Sequence, residues 1–254
     1  MKKLSLLILS IVFLSGVGYG KPLEPVMQPK VILKDFDSFL FYIGAYYKPY
    51  QDFISYDAAS RLITKKVFLE KLKTGDYLPL RLKVNDGKLY YILYKIDPDR
   101  YKKISSYIDG YAYQWLENYE KQGKKFPAFN FTDINGNKYN AANTKGKVLV
   151  VKCWFIGCQR CEEEMPELNQ LMARHKNRKD IIFISLAPDS KVKLHAFLKR
   201  KRFDYPIVAG QNSFIENKLK VTAYPTHLIV NKQGIVVNVV DDPEDIEWAL
   251  QHRI

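Results

Sequence analysis

Two cysteines of the chain lie two residues apart, within the segment CWFIGCQRCEEEMPELNQL that begins at Cys153. They are Cys158 and Cys161, and Cys153 precedes the first of them by five positions. This spacing suits two thiols that form and break a disulfide, or half of a zinc site, which needs two further ligands at matching spacing. Because the chain has no second C-x-x-C and its four histidines are scattered, we expect no metal site.

The segments on either side of the pair predict how it is positioned. The apolar run KVLVVKCWF is typical of a buried strand, and a helix is predicted from Gln159 to about residue 175. The start of a helix stabilises a thiolate, the nucleophilic form of cysteine, through free amides and a partial positive charge. We therefore expect Cys158 to be the exposed attacking thiol and Cys161 to displace the substrate. Cys153, on the strand, is interpreted as core packing.

Strand and helix patterns alternate over the rest of the second half of the chain. After the first helix come IIFISLA, KVKLHAFLKR, YPIVAG, IENKL, THLIVN, IVVNVV and PEDIEWALQHR. This order, closed by a hairpin and a helix, predicts an α/β domain over residues 121–254, with a sheet covered on both faces.

Residues 21–120 have a different composition, with fourteen of the 18 tyrosines and no cysteine. Four elements are predicted: helices over residues 37–49, 64–75 and 99–119, and a β-hairpin that turns at residues 85–87. The first helix is expected to be capped by Asp37 or Ser38. These patterns predict a small N-terminal α+β domain of unknown role, which ends near residue 120 in the segment EKQGKKFP.

Residues 1–20 are predicted to be a secretory signal peptide. Lys2 and Lys3 precede an apolar run, and Gly18-Tyr19-Gly20 supplies a small-x-small cleavage pattern. The run is shorter than the roughly 18 to 20 residues that a spanning helix needs. We therefore expect an exported protein, in the periplasm or at the outer face of the cell envelope and soluble after cleavage. The net charge is +13, but an exported chain without a nucleic-acid motif is not expected to bind nucleic acid.

Two segments carry a resemblance to a known family. KVLVVKCWFIGCQRCEEEMPELNQL together with VTAYPTHLIVNKQGIVV resembles the TlpA/ResA-like branch of the thioredoxin superfamily, which are exported thiol–disulfide oxidoreductases. The resemblance covers about residues 126–254. It implies a thioredoxin-like fold, with a central mixed sheet flanked by helices, and a redox pair at Cys158 and Cys161. It also implies that Pro225 is a cis-proline facing the pair, with Tyr224 and Thr226 flanking the substrate groove.

The resemblance extends to the residues after the pair. Glu164 and Pro166 occupy the positions of a glutamate and a proline in ResA-type members, which implies that Glu164 manages the proton of the buried thiol. An alternative for Glu164 is that it is only an acidic residue favoured at a helix start, as Glu162 and Glu163 are expected to be.

Two basic residues near the pair affect its expected chemistry, and one of them, Lys152, departs from the family pattern. Arg160, within the pair, is expected to favour the thiolate. Lys152 stands where relatives have aspartate or asparagine, and a lysine is costly to bury unpaired. We hypothesise that Lys152 reaches Glu164 and that the two set the thiol pKa values; the alternative is that its ammonium extends to solvent.

The function expected from these observations is disulfide exchange with protein substrates. The resemblance implies a reductant that is recharged by a membrane-embedded electron donor, with no cofactor beyond the cysteine pair. A Sco-type copper-binding protein is an alternative that depends on His227, although that type has the spacing C-x-x-x-C. A thiol peroxidase is another, although it needs threonine where Phe155 stands. The N-terminal domain could bind a partner or form a dimer, and the oligomeric state stays open.

Overall fold

The computed structural model describes residues 24–254. The predicted signal peptide therefore lies outside the described residues. Within residues 24–254, no helix is both long and apolar enough to cross a membrane.

The N-terminal half is built on a four-stranded sheet with the order β2-β1-β4-β3. The β3–β4 hairpin is antiparallel, as predicted, and β1 lies parallel to β4. Its elements are α1 Pro29–Ile32, α2 Phe36–Tyr46, β1 Phe53–Tyr56, β2 Leu62–Ile63, α3 Lys65–Leu72, β3 Tyr77–Arg81, β4 Leu89–Lys95 and α4 Lys102–Lys121. A separate apolar core fills this half and includes Phe39, Tyr42, Phe68, Tyr91 and Ile108.

The caps of the first two long helices differ in how well the sequence predicts them. Thr64 caps α3 as expected, because its side chain accepts a hydrogen bond from the Val67 amide. The expectation that Asp37 or Ser38 caps α2 is wrong. Asp35 takes this position, and its carboxylate accepts a hydrogen bond from the Ser38 amide at 2.7 Å. Three acidic or hydroxyl side chains within four positions can each act as a cap, so local sequence does not choose between them.

The C-terminal half contains a five-stranded mixed sheet with the order β11-β10-β7-β8-β9. Strands β7, β8 and β9 are parallel, whereas β10 is antiparallel to β7 and β11 to β10. This confirms the predicted sheet. The elements are β5 Asn130–Thr132, β6 Lys138–Asn140, β7 Val148–Cys153, α5 Gln159–Glu163, α6 Met165–Arg174, β8 Ile181–Leu186, α7 Lys191–Leu198, β9 Ile207–Val208, a short π-helix Phe214–Lys218, β10 Thr226–Val230, β11 Val236–Val240 and α8 Pro243–His252.

The single helix predicted after the cysteine pair is two helices, α5 and α6, which meet at Glu164. Pro166 explains the break, because proline has no amide to donate to an earlier carbonyl and its ring disfavours helical backbone just before it. The interruption turns Glu164 toward the sheet, where it is 9% exposed.

Helix α4 joins the two halves. Its Gln114 and Asn118 side chains donate to Asp241, at the end of the edge strand β11, at 3.0 and 3.4 Å. Farther along, Glu117 accepts a hydrogen bond from Thr222 at 2.8 Å. Because α4 contacts both halves, the division of the chain near residue 120 stays a prediction.

Candidate active site

The cysteine pair lies where β7 ends and α5 begins. Cys158 and Cys161 form a disulfide with an S–S distance of 2.02 Å. Cys158 is the N-cap residue of α5, and its Sγ accepts a hydrogen bond from the Cys161 amide at 3.3 Å. Gly157 precedes the pair with a φ of +93°, a conformation that glycine adopts without steric cost. This turn delivers the first sulfur to the amides at the helix start.

The two cysteines differ in accessibility. Cys158 is 8% exposed and Cys161 is fully buried, so the predicted order is confirmed. The expectation that Cys158 is exposed is nevertheless wrong for this disulfide state, in which its sulfur is bonded to Cys161 and packs into the core beside Trp154. Cys158 is the only residue of the pair that solvent contacts.

The Tyr224–Pro225 peptide bond is cis. Pro225 immediately precedes β10, whose Thr226 is paired with Cys153 of β7, and Pro225 lines the same cleft as Arg160. Tyr224 is half-buried and meets Phe155 edge-on, with ring centroids 5.2 Å apart. The Thr226 side chain turns away from the cleft, since this residue is 3% exposed and its hydroxyl donates to the Ala223 carbonyl.

Lys152 is fully buried on β7, so the alternative that its ammonium extends to solvent is wrong. Its Nζ contacts the Glu164 carboxylate and lies 3.3 Å from the Cys161 carbonyl oxygen. Burial lowers the pKa of Lys152, and the neighbouring Glu164 carboxylate opposes that shift. The hypothesised contact between Lys152 and Glu164 is therefore present, next to the backbone of the second cysteine.

The sequence connected His227 with the pair only through the copper-binding alternative, yet His227 completes this buried cluster. The antiparallel register of β10 and β7 sets His227 opposite Lys152. Its Nε2 lies 3.1 and 3.3 Å from the two carboxylate oxygens of Glu164, while Nδ1 has no partner among the described residues. Burial lowers the pKa of His227, so a neutral ring that donates from Nε2 fits this geometry. A second sequence signal was a histidine directly before the apolar residues of the strand THLIV.

Glu164 is the centre of the cluster. Burial by itself raises the pKa of this carboxyl, but His227 and Lys152 outweigh burial and keep the pKa below its usual value. Glu164 is thus ionised at neutral pH and paired with a buried ammonium, the arrangement that makes a buried charge tolerable. Pro166 lies in the first turn of α6, where its missing amide breaks no helical hydrogen bond.

The other charged residues near the pair make contacts at the surface. Arg160 lies 2.8 Å from a carboxylate oxygen of Asp242, so its charge is shared with that group. Glu162 accepts a hydrogen bond from the Gly157 amide at 2.9 Å, and Glu163 accepts one from the Gln159 side chain. Tuning of the thiols by Arg160 stays a prediction.

Cys153 is a free thiol, fully buried on the opposite face of the sheet from the pair. Burial raises its pKa to about 12. A thiol in this environment is protonated at neutral pH and is not a nucleophile, which agrees with its interpretation as core packing.

In the described part of the chain, no group of three or more histidine, cysteine, aspartate or glutamate side chains is arranged to hold a metal ion. The copper-binding alternative depended on His227, whose Nε2 is engaged with Glu164.

The sequence profile of the AhpC/TSA family matches residues 122–239, which contain the pair, the cis-proline and the buried cluster. We call residues 122–239 the AhpC/TSA region, after the family profile that they match. The AhpC/TSA region is the thioredoxin-like part of the chain, with the predicted mixed sheet flanked by helices.

Curated relatives confirm the predicted resemblance of the AhpC/TSA region. Thiol-disulfide oxidoreductase ResA of Bacillus cereus is 29% identical over 132 residues, which are 51% of this chain and 76% of the relative. ResA of Geobacillus kaustophilus is 28% identical, with the same coverage of both chains. Among solved structures, a thiol-disulfide oxidoreductase from Bacteroides fragilis is similar at a TM-score of 0.47 and 18% identity, over 52% of this chain and all of that one.

The AhpC/TSA region does not enclose the cleft beside Pro225 by itself. The cleft holds about 320 Å³. One side consists of Arg160, Tyr224 and Pro225, and the other consists of Tyr107, Tyr111 and neighbouring residues of α4. The tyrosine-rich helix of the N-terminal half therefore supplies one wall of the space next to the redox pair.

Two half-buried carboxyl groups near this cleft should make the free energy of unfolding depend on pH. Burial raises the pKa of Asp241 to about 6 and that of Asp245 to about 7. The folded chain therefore keeps protons that the unfolded chain loses above about pH 4. Stability from this source is complete below pH 4 and is lost as the pH rises through 6 to 7.

We expect Asp245→Asn to flatten this dependence. Between pH 5 and pH 8, its free energy of unfolding in urea should fall less than that of the unsubstituted protein. Asp204→Asn, at an exposed ion pair with Arg202, is the matched control and should keep the original slope. An unchanged slope in Asp245→Asn would contradict the raised pKa.

Proposed function

We propose that this protein is an exported thiol–disulfide oxidoreductase that reduces disulfides in other proteins. The observation that carries the proposal is the Cys158–Cys161 disulfide at the start of α5, where Arg160, between the two cysteines, lines a cleft together with Pro225. The relatives named thiol-disulfide oxidoreductase ResA support the same reaction type.

The reaction proceeds in two exchange steps. The Cys158 thiolate attacks one sulfur of the substrate disulfide; that bond breaks, a mixed disulfide forms, and the departing thiolate takes up a proton. Cys161 then loses its proton and attacks the Cys158 sulfur, which releases the second substrate thiol. The substrate gains two electrons and two protons. The enzyme loses them and is left oxidised, with a new Cys158–Cys161 disulfide.

The elements of the site support separate roles for the two sulfurs. The Cys161 amide already donates to the Cys158 sulfur, and this contact would stabilise a thiolate there. The proton of the buried Cys161 must leave through the interior. Glu164, with Lys152 and His227 around it, is the ionisable cluster nearest the backbone of Cys161, which supports Glu164 as the group that manages this proton.

Reduction of the Cys158–Cys161 disulfide back to the dithiol needs a source of two electrons and two protons. We infer a membrane-embedded electron donor at the outer face of the cell envelope, where the signal-peptide pattern of residues 1–20 would deliver the chain. The cysteine pair would be the sole redox group of the protein, with no added cofactor.

The reduction potential of the pair tests the direction of transfer. The purified protein would be equilibrated against a series of dithiothreitol or glutathione buffers, and the fraction of disulfide read from alkylation. A value near that of thioredoxin, about −270 mV, is expected for a reductant. A value near about −120 mV would identify an oxidant of its substrates, and the absence of a reversible couple would overturn disulfide exchange altogether.

A further inference from the structure

A second cavity continues from the cleft beside Pro225 along helix α4. It holds about 450 Å³ and lies between the N-terminal half and the start of α8. The cavity and the cleft share Tyr107, Tyr111 and Arg160 in their walls. We call these two adjacent spaces together the passage. Arg160, which lines both, follows Cys158 by two positions in the sequence.

The two walls of the cavity differ in chemistry. The N-terminal half supplies aromatic rings, namely Tyr47, Tyr107, Tyr111, Trp115 and Tyr119. The C-terminal half supplies five carboxyl groups, namely Glu167, Asp241, Asp242, Glu244 and Asp245. Of the two cations in the lining, Arg160 pairs with Asp242, whereas Lys48 donates to the Gly44 carbonyl at 2.8 Å and keeps its charge. The carboxyl groups outnumber these cations by five to two. The cavity is therefore acidic, in a chain whose net charge is +13.

An unused polar group also lines this cavity. Tyr47 is 3% exposed, and its hydroxyl has no hydrogen-bond partner among the described residues. Buried hydroxyls in folded proteins almost always have a partner. Tyr47 lines the cavity together with Tyr50 and Asp245.

We propose that this passage binds the substrate protein on one side of its reactive cysteine and selects substrates that have a lysine or arginine a few residues from that cysteine. The inference rests on the proposed disulfide exchange and adds the substrate class. The substrate sulfur bonded to Cys158 fixes one end of the segment. Since an extended chain advances about 3.3 Å per residue, a basic side chain a few positions away can reach the acidic wall.

The walls suit such a side chain in two ways. The carboxylates of Asp241 and Asp245 would pair with the cation, and this pairing would offset the burial that raises their pKa values. The rings of Tyr107 and Tyr111, stacked at 4.3 Å between centroids, offer faces on which the aliphatic stem and the charged group of lysine or arginine can lie.

Two peptide substrates test the proposal. Each contains one disulfide. They differ only at the position three residues from one of the two cysteines, which is lysine in one peptide and glutamate in the other. The reduced full-length protein should reduce the lysine peptide about tenfold faster at low ionic strength, as charge complementarity predicts. This ratio should shrink severalfold at about 0.5 M salt, where exposed charges are screened.

Single substitutions locate the preference. Asp241→Asn and Asp245→Asn should each lower the lysine-to-glutamate rate ratio about threefold, whereas the control Asp204→Asn, outside the cavity, should keep it. The ratio is measured within each variant, so a change in thiol reactivity cancels. Equal rates for both peptides, or a ratio that neither salt nor both variants alter, would overturn the proposal. Failure to reduce both peptides and oxidised glutathione would instead overturn the proposed function.

Discussion

Cys158→Ser should abolish disulfide exchange, with a loss of activity on the order of a thousandfold or more, as expected when the nucleophile of an enzyme is removed. Cys158 is the partly accessible member of the pair and caps α5, where the Cys161 amide meets its sulfur. A serine hydroxyl is neither ionised at neutral pH nor able to form a disulfide. The measurement is the rate of reduction of a disulfide peptide by the dithiol form of the protein.

Two companion variants separate the roles of the three cysteines. Cys161→Ala should keep the first step and lose the second, so a mixed disulfide with the substrate accumulates and is detected as an added mass that dithiothreitol removes. Cys153→Ala should retain exchange, because this thiol is buried on the other face of the sheet. Retention of more than about a tenth of the activity in Cys158→Ser would show that Cys158 is not the nucleophile.

Lys152→Met should destabilise the folded protein by about 3 to 5 kcal/mol, the usual cost of leaving one member of a buried ion pair without its partner. Methionine has a similar length, so packing is largely preserved, but Glu164 keeps only the His227 hydrogen bond. The free energy of unfolding in urea measures the effect. In the dithiol form, alkylation of Cys158 should also move to higher pH, because a positive charge near the pair is lost.

Two further substitutions make this result specific. The double variant Lys152→Met with Glu164→Gln should be more stable than the single Lys152→Met, because it no longer buries an unpaired carboxylate. Lys232→Met removes an exposed ion pair with Asp180 and should cost no more than about 1 kcal/mol. If Lys152→Met were as stable as Lys232→Met, and alkylation of Cys158 kept its pH dependence, the Lys152–Glu164 ion pair would have no role in the site.

Local sequence patterns were sufficient to predict the redox chemistry of the pair, the strand before it and the start of the helix after it, but not the break between α5 and α6. A C-x-x-C between an apolar strand and a helix specifies both sulfurs and their environment through local geometry, since the helix start is built from the next few residues. Local patterns also predicted a sheet covered on both faces, because β7 is buried throughout and the later strands are short apolar runs. The mixed strand directions were implied only by the family resemblance. The match of relatives to residues around the pair agrees with this.

Contacts between the pair and residues distant in the sequence depend on the tertiary structure. His227 reaches Glu164 because the register of β10 against β7 places it opposite Lys152, and strand register over 75 positions is not encoded by neighbouring residues. Likewise, α4 packs beside β11, so that tyrosines of the N-terminal half face Arg160 and Pro225. No periodic pattern in the sequence predicts which residues the tyrosines of α4 and the aspartates that follow β11 contact. Their meeting depends on how two separately formed cores pack together, and packing is a property of the whole folded chain.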